Sequence, residues 1–288
     1  MSEQPKAGVL GDPVMHSRSP LIHNFWLSEY GIGGSYEKLH VTADEFAPFV
    51  RGLAAQGFVG ANVTLPHKEA AFALADELDP LAERLQAVNT LVFEGGRIKG
   101  LNTDGYGFMQ NLTSHSPQWR RDRPVLVLGA GGAARAIVAS LAAAGVPEIF
   151  MANRTVEKIE SFRPLMHDYD CRLQALAWSE RARPLAEIGL LVNTTSLGMA
   201  KQAAPETGMV LDMTLADMAP DAVVTDIVYT PLITPLLQAA RARELQIVDG
   251  LGMLLHQAAP GFALWFGRQP EVTPALRQHI EADLQEGA

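Results

Sequence analysis

The chain has 288 residues and a mass of 31.1 kDa, long for a single hydrophobic core and suited to two domains. With 48% hydrophobic and 19% charged residues the composition is globular, and a net charge of −9 excludes a broad nucleic-acid or anionic-membrane footprint. The single cysteine, Cys171, excludes an internal disulfide and a multi-cysteine zinc site.

No apolar leader stretch opens Met1–Lys6 and no apolar run approaches spanning length, so a cytoplasmic protein without a membrane partner is expected. Ala7–Leu10 reads as a first strand, leading into the turn Gly11-Asp12-Pro13. Ser19 is placed as the N-cap and Pro20 at the first position of a helix that runs to Tyr30 and stops at Gly31. Tyr36–Val41 alternates like a strand. Thr42–Glu45 has the form of a capping box, and the helix it opens ends near Gly57. Phe58–Thr64 is a third strand, after which Pro66 opens another helix. Asp79–Gln86 supplies a short helix. Val88–Glu94 and Arg97–Thr103 flank Gly95-Gly96, a two-residue hairpin signal, giving a parallel sheet with one antiparallel member. Asp104 caps a helix towards Leu112, and the polar stretch Ser114–Arg123 is the expected linker.

Val125–Leu128 is a short apolar run suited to a strand buried on both faces. Gly129, Gly131 and Gly132 follow, then the helix-forming run Ala133–Ala144, closed by Gly145. Strand, glycine turn and helix in that order form the βαβ start that cradles a dinucleotide pyrophosphate, although a glycine-rich turn also occurs in ordinary α/β domains. Glu148–Ala152 is the next strand. At its end Asn153-Arg154-Thr155 stands where NAD-binding chains carry an acid for the ribose, and Arg154 suits a 2′-phosphate instead. NADP is therefore the expected cofactor. Gly189–Thr194, Ala222–Val228 and Leu245–Val248 are further strands, and Met253–Phe266 is a strongly apolar helix.

Four polar clusters stand at strand-to-helix or loop junctions: Ser17/Ser19, Asn62/Thr64/Lys68, Asn89/Thr90 and Asn102/Asp104. They offer hydroxyls and amides for a polyol, and a lysine and a carboxylate for proton transfer. Lys68, in the first turn of a helix, lies beside the positive end of the dipole, which favours a ligand or acid partner for it. No metal-ligand spacing appears. His16 and His23 read as a loop residue and a helix-face residue. Beside an NADP domain, such a set suits reduction of a small hydroxylated carbonyl compound.

With these residues in place the chain resembles the shikimate dehydrogenase family over nearly its full length. The matching segments are S-R-S-P-L-I-H-N (17–24), G-A-N-V-T-L-P-H-K (60–68), A-V-N-T-L (87–91), N-T-D-G-Y-G (102–107) and G-A-G-G-A-A-R (129–135). N-R-T (153–155), N-T-T-S-L-G-M (193–199), D-I-V-Y-T-P (226–231) and D-G-L-G-M-L-L-H-Q (249–257) complete them. The resemblance implies reversible NADP-linked reduction of 3-dehydroshikimate to shikimate, with the protein a monomer or homodimer. It implies Lys68 and Asp104 as the catalytic pair, Ser17 and Ser19 on the substrate carboxylate, and Tyr229 closing on it. Asn62, Thr64, Asn89 and Gln257 would hold ring hydroxyls. On the cofactor side it implies Gly129, Ala130, Gly131, Gly132 and Ala133 at the pyrophosphate, and Asn153, Arg154, Thr155 and Lys158 at the 2′-phosphate. Thr194, Thr195, Ser196, Ile227, Gly250 and Met253 would complete the cofactor site. Gln86 and Glu244 depart from the pattern, each standing where a loop glycine is common, and His67 beside the lysine suits packing better than catalysis.

The fold expected is α/β in two domains. Residues 1–113 with 250–288 form a mainly parallel α/β/α substrate domain, and 114–249 a Rossmann-type NADP domain. A quinate or dual-specificity dehydrogenase, a methylenetetrahydrofolate dehydrogenase and a non-catalytic NADP-binding regulator are the alternatives. The hydroxyl-rich set argues against a pterin, and the presence of both Lys68 and Asp104 against a regulator.

Overall fold

The computed structural model describes residues 4–199 and 213–286. The chain folds as two compact units, one of the described residues up to Asp104 together with those from Leu255, the other Gly105–Leu254.

The first unit begins with β1 (Lys6–Gly11), α1 (Ser19–Glu29), β2 (Ser35–His40), α2 (Phe46–Leu53), β3 (Phe58–Val63) and α3 (Lys68–Leu74). β4 (Glu77–Leu78), α4 (Pro80–Leu85), β5 (Thr90–Glu94) and β6 (Arg97–Leu101) follow. The sheet order is β2-β1-β3-β5-β6-β4, and every pairing is parallel except those of β5, the one antiparallel member expected. Gly95 and Gly96 turn the hairpin with φ of +58° and +77°, the left-handed geometry that matches strand twist. Period-two alternation builds both faces. Ala7 and Val9 of β1 pack with Trp265, whereas Leu10 packs with Phe46, Val50 and Leu53 of α2.

Three expected caps are not formed. Arg18 precedes α1 and Ser19 is its first residue, because the Ser17 hydroxyl already takes the Ser19 N–H (3.3 Å). The Thr42 hydroxyl donates to the Glu45 carboxylate (2.7 Å), and α2 begins only at Phe46. Asp104 is the first residue of α5 (Asp104–His115), its carboxylate turned to side chains elsewhere and its own N–H taken by the Asn102 side chain (3.1 Å). Asp79, by contrast, caps α4 by accepting from Ala82 N (2.6 Å).

The second unit carries most of α5, then β7 (Val125–Leu128), α6 (Gly132–Ala143), β8 (Glu148–Asn153), α7 (Glu157–Glu160) and β9 (Arg172–Ala177). β10 (Leu190–Asn193), β11 (Val223–Asp226), α8 (Pro235–Ala242) and β12 (Gln246–Val248) complete its sheet. The order β12-β11-β10-β7-β8-β9 is wholly parallel, the doubly wound arrangement whose direction of winding reverses between β7 and β10. All four residues of β7 are at 0% exposure, as its unbroken apolar run requires. The stretch expected as a linker belongs to this unit. Ser114 and His115 close α5, and Ser116 and Trp119 are buried.

α9 (Leu251–Phe266) leads back to the first unit, where α10 (Pro274–Glu286) packs on α1. The sequence places the breaks at 113/114 and 249/250. The units divide at 104/105 and 254/255, inside α5 and α9, where a continuous helical pattern gives local sequence no break to register. Among the described residues no helix is long and apolar enough to cross a membrane.

Candidate active site

In the first unit the polar clusters converge because of strand direction. Parallel β1, β3 and β6 end on one edge of the sheet, and antiparallel β5 begins there. Asn62 of β3 lies directly across from Thr90 of β5. Lys68, the first residue of α3, reaches over to Asp104: its ammonium donates to Oδ2 at 2.5 Å, with side chains 26% and 12% exposed. The other carboxylate oxygen accepts from Asn89 Nδ2 at 2.8 Å. Asn89 is itself fixed. Its Oδ1 accepts from the Thr103 N–H and the Thr90 hydroxyl, both at 2.9 Å.

Asn62 donates from Nδ2 to the Asn89 carbonyl (3.2 Å) and the Thr90 hydroxyl (3.1 Å), and accepts the Tyr36 phenol at 2.6 Å. Both asparagines thus spend their N–H groups on the protein. The Thr64 hydroxyl has no hydrogen-bond partner among the described residues, and the Gln257 carbonyl accepts from Thr103 (2.8 Å). Ser17 donates to Ser19 at 3.3 Å, and Ser19 lies near the Tyr36 phenol. Burial pushes that phenol well above its ordinary range, so it remains a donor. Arg18, between the serines, is tied to Asp283 at 2.9 Å.

His23 stacks on Tyr36 with centroids 4.0 Å apart, in a cage with Trp26, Phe262 and Trp265. Burial drives it down to about 3, against the opposing effect of the nearby Asn62 amide, and it is neutral. It is the helix-face residue expected, on the buried face of α1. His16 is exposed in its loop. His67 is a packing residue, stacked on Phe46 at 4.6 Å and donating from Nε2 to the Val41 carbonyl at 2.7 Å.

In the second unit the glycine turn occupies the winding reversal. Of its three glycines only Gly129 uses positive φ (+102°), and a Cβ there would lie 2.7 Å from the Thr194 hydroxyl. Gly131 is extended backbone and Gly132 opens α6; a Cβ on either would meet nothing within 4 Å. These two glycines therefore serve by leaving open, exposed backbone at the N-terminus of a twelve-residue helix, room that suits a diphosphate. Ala130 and Ala133 flank it, half-buried.

Asn153 closes its own turn by donating to the Thr155 carbonyl (2.8 Å). Arg154 and Lys158 stand exposed, with no ion pair among the described residues, on a surface that suits a 2′-phosphate. Thr194 donates to the Leu128 carbonyl (2.7 Å) and Thr195 to Asn193 Oδ1 (2.7 Å), while Ser196 is exposed. Gly250 lets Ile227 approach so closely that a Cβ would sit 2.5 Å from the Ile227 backbone. Met253 and Tyr229 are half-buried in this unit.

Sequence reading missed Tyr36 and Thr103 in the first unit and Asp226 in the second as members of these networks. The motifs N-T-D-G and D-I-V-Y-T-P contain two of them, whereas nothing in the pattern marks Tyr36.

A doubly wound sheet with open glycines at its winding reversal, and a unit that sets an ammonium against a carboxylate among hydroxyls, are the parts of a dinucleotide-linked oxidoreductase. The comparisons give the particular lineage. Residues 9–91 match the shikimate dehydrogenase substrate binding domain, 112–251 the shikimate / quinate 5-dehydrogenase model, and 250–278 the shikimate 5′-dehydrogenase C-terminal domain. The chain belongs to the shikimate dehydrogenase family.

It is 54% identical to the shikimate dehydrogenase (NADP(+)) of Methylobacterium radiotolerans, over 97% of this chain and 98% of that one. Among solved structures it is similar to the shikimate 5-dehydrogenase of Thermus thermophilus in complex with NADP(H) and shikimate. That similarity is 34% identity with a TM-score of 0.81, covering 99% and 100% of the two chains. It is also similar to a 5-ketofructose reductase of a Gluconobacter species, at 29% identity and a TM-score of 0.88 over 98% and 100%.

Proposed function

We infer that the protein is an NADP-dependent shikimate dehydrogenase, interconverting 3-dehydroshikimate and shikimate in chorismate and aromatic amino-acid biosynthesis. The observation that carries this is the Lys68–Asp104 pair, its carboxylate held by Asn89. The cofactor, when bound, would supply the hydride to the substrate carbon as NADPH and take it back as NADP. Reduction leaves the carbonyl oxygen in need of a proton. Lys68 spends one N–H on Asp104 and has others to hold that oxygen and protonate it; in the oxidation direction it takes the proton back. Asp104 fixes the ammonium and accepts from a neighbouring ring hydroxyl.

Ser17 and Ser19 suit the substrate carboxylate as neutral donors. Arg18 is already engaged by Asp283 and does not fill that role. Thr64 offers an unengaged hydroxyl. Asn62 Oδ1 accepts only from the Tyr36 phenol and keeps a lone pair for a ligand. Asn89 Oδ1 already accepts from Thr103 and Thr90, and Asn89 serves by holding Asp104; Gln257 completes the proposed contacts. Gly129, Gly131 and Gly132 suit the pyrophosphate and Arg154 with Lys158 the 2′-phosphate, and no acid occupies 153–155 to favour NAD. We place the enzyme in the cytoplasm, as a monomer or homodimer.

The test is formation of reduced nicotinamide at 340 nm with shikimate and quinate, each with NADP and NAD. Shikimate with NADP is expected to give the highest kcat/KM. A preference for quinate, or for NAD, overturns the reading.

A further inference from the structure

Asp226, the last residue of β11, is 0% exposed, and its hydrogen-bond partners among the described residues are all neutral. Its Oδ1 accepts from the Val228 N–H and from Asn193 Nδ2, both at 3.0 Å, and its Oδ2 from the Thr234 hydroxyl at 2.7 Å. Burial pushes the carboxyl up to about 6, against those three hydrogen bonds.

Each donor governs a piece of backbone. Asn193, the last residue of β10, accepts the Thr195 N–H (3.1 Å) and hydroxyl (2.7 Å) and donates to the Leu197 carbonyl (3.3 Å), wrapping 194–197 into a turn. The Asn193 carbonyl also takes the Ile227 N–H at 3.1 Å. Val228 and Ile227 form the backbone that presses on Gly250, where a Cβ would come within 2.5–2.7 Å of their atoms. Thr234 is the N-cap of α8, its hydroxyl accepting from Leu237 N (3.4 Å). One carboxylate therefore joins the loops after β10 and β11 and the backbone against Gly250. These are the segments that carry Thr194, Thr195, Ser196, Ile227 and Gly250.

We propose that Asp226, acting through Asn193 and Val228, is the positioning residue that sets these loops to receive the nicotinamide half of the dinucleotide. The proposal rests on the NADP reading. The pyrophosphate and the adenosine 2′-phosphate, assigned to Gly131 with Gly132 and to Arg154, stand on other loops that make no hydrogen bond to Asp226, so the two ends of the dinucleotide respond differently to its loss.

The experiment measures calorimetric binding of NADPH and of 2′,5′-ADP to the full chain, as wild type, Asp226→Asn and Asp226→Ala, with thermal unfolding of each ligand-free chain. Alanine orphans three buried donors and is expected to raise the NADPH Kd by about tenfold or more, leaving that of 2′,5′-ADP within about twofold. Asparagine keeps Oδ1, and the Thr234 hydroxyl turns to accept its amide; an intermediate, selective loss of about threefold is expected. The asparagine variant carries the test by itself should the alanine chain not fold. Equal loss of both probes shows general destabilisation and overturns the proposal, as does unchanged NADPH binding. A wild-type chain that binds neither probe overturns the NADP reading and the proposal with it.

Discussion

Replacing Lys68 by alanine separates a catalytic lysine from a binding one. The ammonium stands 2.5 Å from Asp104 Oδ2, with the side chains 26% and 12% exposed, so the pair lies between an exposed and a buried ion pair. Exposed pairs contribute about 0.2–1 kcal/mol and breaking a buried one costs about 3–5 kcal/mol; with partial screening, about 1–3 kcal/mol of stability is expected to be lost. The catalytic effect is larger. A positioned general acid contributes about 10²–10⁴-fold, or roughly 3–5.5 kcal/mol of barrier. Lys68→Ala is therefore expected to lose that factor in kcat, with the KM for shikimate little altered, in an NADPH-formation assay run below the unfolding temperature. Asp104→Asn is expected to lose rate as well. Because Asn89, Asp104 and Lys68 form one hydrogen-bonded unit, the double variant is expected to fall far short of the product of the single losses. A Lys68→Ala enzyme with near-native kcat and only a raised KM would make Lys68 a binding residue and refute the mechanism.

Arg154→Ala removes an exposed fork from the proposed phosphate surface, and about 10-fold to more than 100-fold weaker NADP binding is expected with NAD binding almost untouched; equal losses for both cofactors would remove the assignment. Ser17→Ala and Ser19→Ala are each expected to raise the KM for shikimate more than they lower kcat, whereas Arg18→Ala, which breaks only the contact with Asp283, leaves KM within about twofold; the reverse order would put the carboxylate on Arg18. His23, held near 3 where an unfolded chain takes up the proton near 6.5, stabilises the fold above that pH and loses its contribution as pH falls towards 3. Asp226, raised to about 6, works in the opposite sense, its contribution being lost as pH rises through that value. Denaturant unfolding is accordingly expected to show His23→Phe losing about 3 kcal/mol less stability than wild type between pH 6.5 and 4, and equal acid sensitivity would contradict the neutral buried ring. Gln86 and Glu244 adopt φ of +53° and +56°, so each residue that replaces a common glycine keeps the glycine's left-handed backbone. Relieving that strain is worth about 1–2 kcal/mol, less about 0.5–1 kcal/mol for the added freedom of the unfolded chain, and Gln86→Gly and Glu244→Gly are expected to raise the unfolding midpoint slightly; a lowered midpoint would refute the strain argument.

Much of this protein is legible in local sequence, because strand and helix periods and positive-φ turns are properties of neighbouring residues. The apolar run Val125–Leu128 is the fully buried central β7, Gly95-Gly96 is a tight hairpin, and Gly129 with Gly145 marks two left-handed turns. The motifs from Ser17 to Gln257 carry the family, and the missing acid at 153–155 carries the cofactor expectation. Sequence also names Lys68, Asn89 and Asp104 as members of one site.

Tertiary structure alone decides what each polar atom is free to do. Asn62 and Asn89 are read as holding ring hydroxyls, and only the fold shows that their N–H groups are spent on Thr90, Thr103, Asp104 and a main-chain carbonyl. Ser19 and Asp104 have the residue types of helix caps, but their side chains face Tyr36 and Lys68. β4 and β9 are not among the elements expected: the first is two residues long, and the second is a part-exposed edge strand with little apolar contrast. The physical reason is shared. Lys68 finds Asp104 36 positions away and Asn193 finds Asp226 33 away, because parallel strands of one sheet deliver their ends to the same edge. A hydrogen bond made across strands has no period along the chain, so only the folded sheet determines which donors remain for a ligand.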